Sequence, residues 1–464
     1  MVGMAGDPAS RVGEIRPAFQ RYPEYKDSGV AWLGAVPTHW DIRRQRNVVD
    51  ILVSNVDKHT VEGEQTIHLC NYVDVYKNDR ITAAIPFSSA TATAEEISRF
   101  KLLLGDVIIT KDSESRDDIG VPAFVEYIAP DLLCGYHLAI LRARAGILKG
   151  GYLFWIQQSL SVSTQYHLSA NGVTRYGLSQ NAIKNVMLLV PPLCEQEAIA
   201  AFLDRETAKI DALIAKQARL IALSQEKRQA LISHAVTKGL DPHAPMKDSG
   251  VKWLGAIPAH WARKRLRFMA ALNPSKQEAR ALPKDTEVSF LPMEAIGDDG
   301  SLNLSQTKTI AEVESGYTYF AEGDITLAKI TPCFENGKGA ITRGLTNGIG
   351  FGTTELTVLR PYLCTDSAYL YHLIMSQPFR MLGQGTMYGA GGQKRVPDDF
   401  VRNFDVAWPP YREQTAIAAF LDRETAKIDT LTAKAQQAIA LLREHRTSLI
   451  SAAVTGKIDV RAAG

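Results

Sequence analysis

The sequence contains no run of about 18 consecutive apolar residues, so no membrane-spanning helix is expected. Cysteine is scarce: Cys70, Cys134, Cys194, Cys333 and Cys364 are the only five. No two are spaced as C-x-x-C and the count is odd, which argues against a zinc ribbon or a disulfide framework and fits a reducing cytoplasm. An excess of one charge is also missing. Lys and Arg number 52 against 50 Asp and Glu, a net charge of +2. A globally basic nucleic-acid binder is thereby excluded, and any such site must be a local cluster. The first twenty residues carry Arg11 and Arg16 without a following apolar run. They do not read as a signal peptide, and residues 1–21 are expected to form a mobile tail.

Catalytic motifs are missing as well. An adenine methyltransferase would carry an Asn or Asp before Pro-Pro-Tyr. Here Trp408-Pro-Pro-Tyr411 lacks the amide or acid, and Val190-Pro-Pro-Leu193 lacks the aromatic too. No glycine-rich loop for S-adenosylmethionine follows a strand upstream. Pro397-Asp398-Asp399 has no downstream acid-x-lysine to complete a metal-dependent nuclease set. Gly385-Thr-Met-Tyr-Gly-Ala-Gly-Gly392 lacks both a Walker ending and Rossmann spacing. No nucleophile has a base and an orienting group beside it. The expectation is a chain with no active site, no cofactor and no metal.

What is present is a repeat in a globular chain of 464 residues, 45% hydrophobic and 22% charged. Lys26-Asp-Ser-Gly-Val-Ala-Trp-Leu-Gly-Ala-Val-Pro-Thr-His-Trp40 returns as Lys247-Asp-Ser-Gly-Val-Lys-Trp-Leu-Gly-Ala-Ile-Pro-Ala-His-Trp261. Ala198-Ile-Ala-Ala-Phe-Leu-Asp-Arg-Glu-Thr-Ala-Lys-Ile-Asp211 returns unchanged at Ala416–Asp429. Each copy has a short motif, a globular insert and a long helical segment. The inserts, residues 41–190 and 262–408, diverge yet align. Gly105-Asp-Val-Ile-Ile-Thr-Lys111 matches Gly323-Asp-Ile-Thr-Leu-Ala-Lys329, Leu138-Ala-Ile-Leu-Arg142 matches Leu356-Thr-Val-Leu-Arg360, and Asn185 matches Asn403. A frame held constant within one chain implies one contact used twice, and divergent inserts on a shared fold imply two targets.

Residues 195–238 and 412–455 contain neither Gly nor Pro and are rich in helix formers. Gly239 and Gly456 follow them at C-cap positions. Leu421, Ile428, Ala435, Leu442 and Leu449 repeat every seven residues in the second arm. In the first arm Leu203, Ile210 and Leu231 are interrupted by Gln217 and Ser224. The natural partner of each apolar stripe is the other arm. Arms of this size are about 60 Å long at ~1.5 Å per residue, comparable to about 18 base pairs of DNA. The tryptophans of the short motif, Trp32 and Trp40 with Trp253 and Trp261, read as indole anchors in an apolar surface. His39 and His260 read as part of that anchor and not as catalysts.

The inserts alternate short strands with helices, so α+β domains are expected. Polar loops follow the first matched strand in each, 111–118 and 329–338, and a second pair covers 171–180 and 387–395. Their Lys, Arg, Asn and Gln side chains are of the kind that read base edges or hold phosphates. The candidate DNA-binding residues are Lys111, Ser113, Arg116, Thr174, Arg175, Tyr176 and Gln180 in the first insert. In the second they are Lys329, Thr331, Asn336, Lys338, Tyr388, Gln393, Lys394 and Arg395.

The doubled Lys-Asp-Ser-Gly-Val-x-Trp-Leu-Gly-x-[Ile/Val]-Pro-x-His-Trp motif resembles that of the specificity subunits of type I restriction-modification systems. So do the two Glu-Gln-x-x-Ile-Ala-x-Phe-Leu-Asp stretches, at 195–204 and 413–422. Lys329-Ile-Thr-Pro-Cys-Phe-Glu-Asn-Gly-Lys338 is similar to a segment of that family's target-recognition domains. The resemblance covers nearly the whole chain after about Tyr22. It implies two target-recognition domains, each reading one half of a bipartite double-stranded DNA site. It implies arms that pack as an antiparallel coiled coil and set the spacing. It also implies two modification subunits carrying the methyltransferase site, and two restriction subunits for ATP-driven translocation and cleavage. With near-neutral inserts, much of the phosphate clamp would come from the modification subunits. The expected organisation is a tail to residue 21, a first motif and recognition domain at 22–194 and a spacer helix at 195–240. A second motif and domain at 241–411, a second spacer at 412–458 and a tail at 459–464 follow. A self-sufficient methyltransferase or nuclease, and a scaffold that binds only proteins, remain the competing readings.

Overall fold

The structure is a computed structural model and describes residues 20–30, 33–390 and 392–461. The expected N-terminal tail up to residue 19, and Trp32, lie outside the described residues. The chain folds as two units. The first holds residues up to 216 together with those from 438 onward, and the second holds residues 217–437. The fold is α+β with an internal repeat.

The arms are two uninterrupted helices, Leu193–Lys238 of 46 residues and Tyr411–Val454 of 44. They begin one to two residues before the stretches free of Gly and Pro, directly after the Pro-Pro pairs. Both stop at a left-handed glycine, Gly239 (φ 77°) and Gly456 (φ 68°), where an L side chain would be strained. Each unit contains a portion of both helices, packed antiparallel. In the first unit the Tyr152 hydroxyl reaches the carbonyls of Leu189 and Val454, and Arg446 pairs with Asp211 at 3.1 Å. In the second the Tyr369 hydroxyl reaches Ala407 and Val236, and Arg228 pairs with Asp429 at 3.2 Å. The heptad stripe is buried or half-buried throughout, including Gln217 and Ser224 in the first arm. These two polar residues therefore occupy the seam and do not break it. Both are short enough, or flexible enough, to lie along a helix partner without removing it.

In the first unit a five-stranded sheet has the order Val49–Val53, Leu138–Ala143, Val107–Thr110, Pro122–Val125, Arg80–Ile81. All neighbours are antiparallel except the last pair. A three-stranded sheet, Leu132–Cys134, Gln65–Cys70, Ser88–Ala92, packs beside it. In the second unit a four-stranded antiparallel sheet runs Ala270–Leu272, Leu356–Pro361, Ile325–Ala328, Gly339–Ile341. A second sheet of four strands is centred on Glu287–Leu291 and Ile349–Gly352. The matched sequence strands thus hold matched places in the two sheets.

The letters shared by both copies have structural jobs. Asp106 and Asp324 are buried at the entry to the central strand, and each holds the arginine at the end of the next strand in a two-pronged pair. Arg142 binds Asp106 at 2.8 and 2.7 Å, and Arg360 binds Asp324 at 2.7 and 2.8 Å. Asn185 and Asn403 accept from Arg44 (3.1 Å) and Arg265 (3.3 Å) at the ends of the paired edge strands. The short motif closes around the start of an arm. In the first unit Glu195 accepts from Trp40 at 3.0 Å and meets His39 at 2.7 Å; in the second Glu413 accepts from Trp261 at 2.6 Å and meets His260 at 2.7 Å. Trp40 and Trp261 are fully buried, as their reading as anchors requires. Trp253 stacks on Phe404 at 4.8 Å. The next residue, Gln196 or Gln414, bridges back to loop carbonyls of the insert. This explains why Glu-Gln appears twice.

The inner ends of the two expected tails are held. Gln20 forms a β-bridge with Asp459, and Arg461 binds Asp459 and the Tyr22 ring face. Residues 462–464 lie outside the described set. Among the described residues no helix is long and apolar enough to cross a membrane.

Candidate nucleic-acid interface

In the first insert the two polar loops meet because each supplies one strand of a small antiparallel ladder, Asp112–Ser113 with Tyr176–Gly177. The backbone of Lys111 joins three segments: its N–H donates to His137 at 2.7 Å and its carbonyl accepts from Leu178 at 2.9 Å. His137 sits in the left-handed region (φ 69°) and turns its ring into the junction. Its Nδ1 bonds Asp112 at 2.9 Å and its Nε2 accepts from Arg175 at 2.7 Å. That pattern places the ring proton on Nδ1. Lys111 also contacts Asp112. Burial works to raise the Asp112 carboxyl, but the hydrogen bonds from Lys111 and His137 outweigh it and hold the group below the usual range.

Aromatic side chains surround this cluster. Tyr72 donates to Ser113 at 3.0 Å and stacks on Tyr76 at 5.7 Å, on a helix capped by Asn71 and Asp74. Tyr136 lies 3.7 Å from the His137 ring. Tyr76, Tyr136 and Val173 are exposed.

The second insert repeats the plan with other residues. Val396 donates to the Lys329 carbonyl at 2.9 Å, as Leu178 does to Lys111. Lys329 donates to Glu355 at 2.9 Å, as Lys111 does to His137. Glu355 therefore stands where His137 stands, one residue before the matched strand. Arg395 grips it with two bonds of 2.9 and 2.7 Å. The hydrogen bond from Arg395 is the main cause holding the Glu355 carboxyl below its usual range. Thr331 accepts from the Lys394 N–H at 2.9 Å and donates to Gly392 at 2.6 Å. Both second loops fold back on themselves, bridged Asn171↔Gly177 and Tyr388↔Arg395, the second one residue longer than the first. Each turns on a glycine, Gly172 (φ 137°) and Gly389 (φ 134°), where a Cβ would fall 1.8 Å from the Arg175 carbonyl or 2.5 Å from that of Gln393.

The structure thus brings together Lys111, Ser113, Arg175 and Tyr176 in one insert, and Lys329, Thr331, Tyr388, Gln393, Lys394 and Arg395 in the other. Thr174 is exposed on the first hairpin. Arg116 is engaged elsewhere, its Nε donating to His167 at 2.7 Å, and Gln180 is the exposed first residue of helix Gln180–Asn185. Lys338 donates to Met293 at 3.2 Å. Asn336 does not join the hairpin cluster. It lines a polar cavity with Arg228, Asp298, Arg380 and Asp429 against the arm helices. Tyr72, Tyr76, Asp112, Tyr136, His137 and Glu355 belong to the cluster and were not among the sequence candidates. The one signal that could have found them was position: His137 and Glu355 immediately precede the matched strands. All five cysteines are free, and among the described residues no group of three or more His, Cys, Asp or Glu could hold a metal ion.

A duplicated α+β frame with two long helices defines the class. No protein-family model matches the chain. The chain is similar to the type I restriction enzyme EcoEI specificity subunit of Escherichia coli, 38% identical over 193 residues, which is 41% of this chain and 31% of that protein. It is likewise similar to the EcoAI specificity subunit of the same organism, 40% identical over 193 residues, 41% of this chain and 32% of that protein. The chain is thus matched to about a third of the length of these two relatives. A solved chain described in terms of complex assembly and conformational transition of the type I R-M system shares its fold. It superposes with a TM-score of 0.67 over 90% of this chain and 98% of that chain, at 15% identity. Over those 193 residues the chain is thus similar to specificity subunits of type I restriction enzymes.

Proposed function

We propose that this chain is the DNA-specificity subunit of a type I restriction-modification complex and performs no bond chemistry itself. Each insert reads one half of a bipartite double-stranded site through its paired loops. The arms set the spacing between the halves and dock the modification subunits. Residues 22–194 and 241–411 act as the two recognition domains, and 195–240 and 412–458 as spacers. The partners are two modification subunits, which carry the methyltransferase chemistry, and two restriction subunits, in the cytoplasm.

The observation that carries this reading is the paired-loop junction. A hairpin that returns to the end of the matched strand is built twice, yet its length and the side chains it presents differ: Arg175 and Tyr176 in one, Gln393, Lys394 and Tyr388 in the other. A shared scaffold with different exposed donors is what reading two different sequences requires. The candidates clustered there, with Tyr76 and Tyr136, are assigned to base and phosphate contacts. Arg395 acts chiefly by fixing its hairpin through Glu355.

The test is methylation mapping of DNA from cells carrying this chain with its cognate modification subunit, against the modification subunit alone. Adenine methylation at one bipartite motif, only when both are present, is expected. Exchange of residues 41–190 changes one half of that motif only. Methylation unchanged by this chain, in an assembled complex, overturns the proposal and favours a protein-binding scaffold. Methyl transfer by the purified chain alone overturns it in favour of a self-sufficient enzyme.

A further inference from the structure

The two copies of the Glu-His-Trp clasp are not equally filled. In the first unit Tyr22 completes it. Its ring meets Trp40 edge-on at 5.5 Å, its hydroxyl donates to Glu195 at 3.2 Å, and Arg461 approaches the same carboxylate at 3.5 Å. The Glu195 side chain is left only 6% exposed. Burial, then the Glu195 charge, push the Tyr22 phenol well up, so it stays a donor.

The second unit repeats the carboxylate, histidine and indole without the tyrosine. The strand registers Tyr25↔Pro37 and Met246↔Pro258 make His243 the counterpart of Tyr22. His243 is exposed and its N–H is turned onto Asp241 at 2.9 Å. A cavity of about 300 Å³ remains beside Trp261, lined by Lys238, Asp241, Ala244, Glu413 and Ile417. Among the described residues Glu413 has His260 and Trp261 as its side-chain partners, and it is 42% exposed. Trp261 is only 1% exposed, so the open walls are Leu240 and Ala416, and an apolar cavity edged by an under-used carboxylate is shaped for a phenol.

We propose that this cavity receives a tyrosine side chain from an extended segment of a partner protein. The ring lies over Leu240 and Ala416 and the hydroxyl donates to Glu413, as that of Tyr22 does to Glu195. The complementarity is in the walls themselves, because the chain already demonstrates the bound state once. The inference concerns the frame and stands independently of what the inserts read.

The test uses the full chain with ¹⁵N-labelled tryptophan indoles and a synthetic peptide of its own segment Gln20–Asp27, supplied in trans. The Trp261 indole N–H, assigned with Trp261→Phe, shifts saturably at up to millimolar peptide while Trp40, whose site is filled, does not. Peptide with Tyr22→Ala binds about tenfold or more weakly, as expected for loss of an anchor side chain and its charged acceptor. Peptide with Tyr22→Phe falls between the two, and Glu413→Gln in the chain narrows that difference. No saturable shift of Trp261, or equal binding of the Tyr22→Ala peptide, overturns the proposal. A Trp261 resonance that moves on dilution of the chain alone overturns it too, since the occupant would then be a second copy.

Discussion

The indole N–H of Trp40 donates to the carboxylate of Glu195 at 3.0 Å, joining the last residue of the short motif to the first turn of an arm 155 positions away. The contact fixes where the arm leaves its insert. Because Glu195 also holds His39 and Tyr22 and is nearly buried, Glu195→Ala orphans several donors at once. The expected loss is about 3 kcal/mol. Glu413→Ala removes two partners from a half-exposed carboxylate and is expected to cost roughly 1 kcal/mol. Thermal unfolding midpoints of the two variants rank them. A larger loss for Glu413→Ala contradicts this account.

The hairpin glycines give a more local prediction. Gly172→Ala places a methyl group 1.8 Å from the Arg175 carbonyl, in a backbone region that L residues rarely adopt. The surrounding ladder is short, so the hairpin rearranges and the core does not. Gly172→Ala is expected to abolish recognition of one half-site while shifting the unfolding midpoint by only a few degrees, about 1–2 kcal/mol. Gly389→Ala does the same for the other half. Both are read by methylation mapping beside calorimetry, and loss of both halves from one substitution counts against two independent readers.

The Glu355–Arg395 pair makes the second hairpin sensitive to acid. Its hydrogen bonds hold the Glu355 carboxyl below the ordinary glutamate value of 4.5. A folded value lower than the unfolded one means the stabilisation is complete above about 4.5 and is lost as pH falls through the lower folded value. Amide exchange at Lys394 and Arg395 should therefore remain slow at pH 6 and accelerate, relative to the intrinsic rate, only below about pH 4.5. Glu355→Gln should show the faster exchange already at pH 6 and no such acid step. An unchanged profile in that variant rules the pair out as the anchor.

The arms and matched strands were legible in the sequence because they are local. Neither arm contains Gly or Pro before Gly239 and Gly456, and the strand Val107–Thr110 opens with three consecutive β-branched apolar residues and is fully buried. The polar loops were legible as loops. Their partners were not, since Tyr72 reaches Ser113 and His137 reaches Arg175 only through sheet pairings that close over many residues. A sequence shows that Arg395 is a cation in a glycine-rich segment, but not that Glu355 already occupies it. The role of Glu195 was hidden in the same way: the Glu-Gln stretch and the His-Trp motif were both visible, and their contact was not. Gln217 and Ser224 read as breaks because polarity was taken for exposure, whereas a seam between two helices tolerates a polar residue that packs lengthwise.

Under the proposed function Arg175 is assigned to base reading and Lys394 to phosphate holding. Arg175 is positioned by His137 at 2.7 Å, with Asp112 behind it, so its guanidinium is pre-set in direction. Lys394 is exposed, and among the described residues its side chain has no such orienting partner on its hairpin. If the proposed function holds, Arg175→Ala weakens binding of the assembled complex by about 1–3 kcal/mol and relaxes preference at one base pair of one half-site. His137→Ala produces part of that loss with Arg175 intact, because the direction and not the charge has been removed. Lys394→Ala instead weakens binding to all sequences alike and lowers the slope of log affinity against log salt by about one. Titrations of matched and mismatched duplexes at several salt concentrations distinguish these outcomes. A salt-slope change for Arg175→Ala without any change in base preference would reassign it from base reading to phosphate holding.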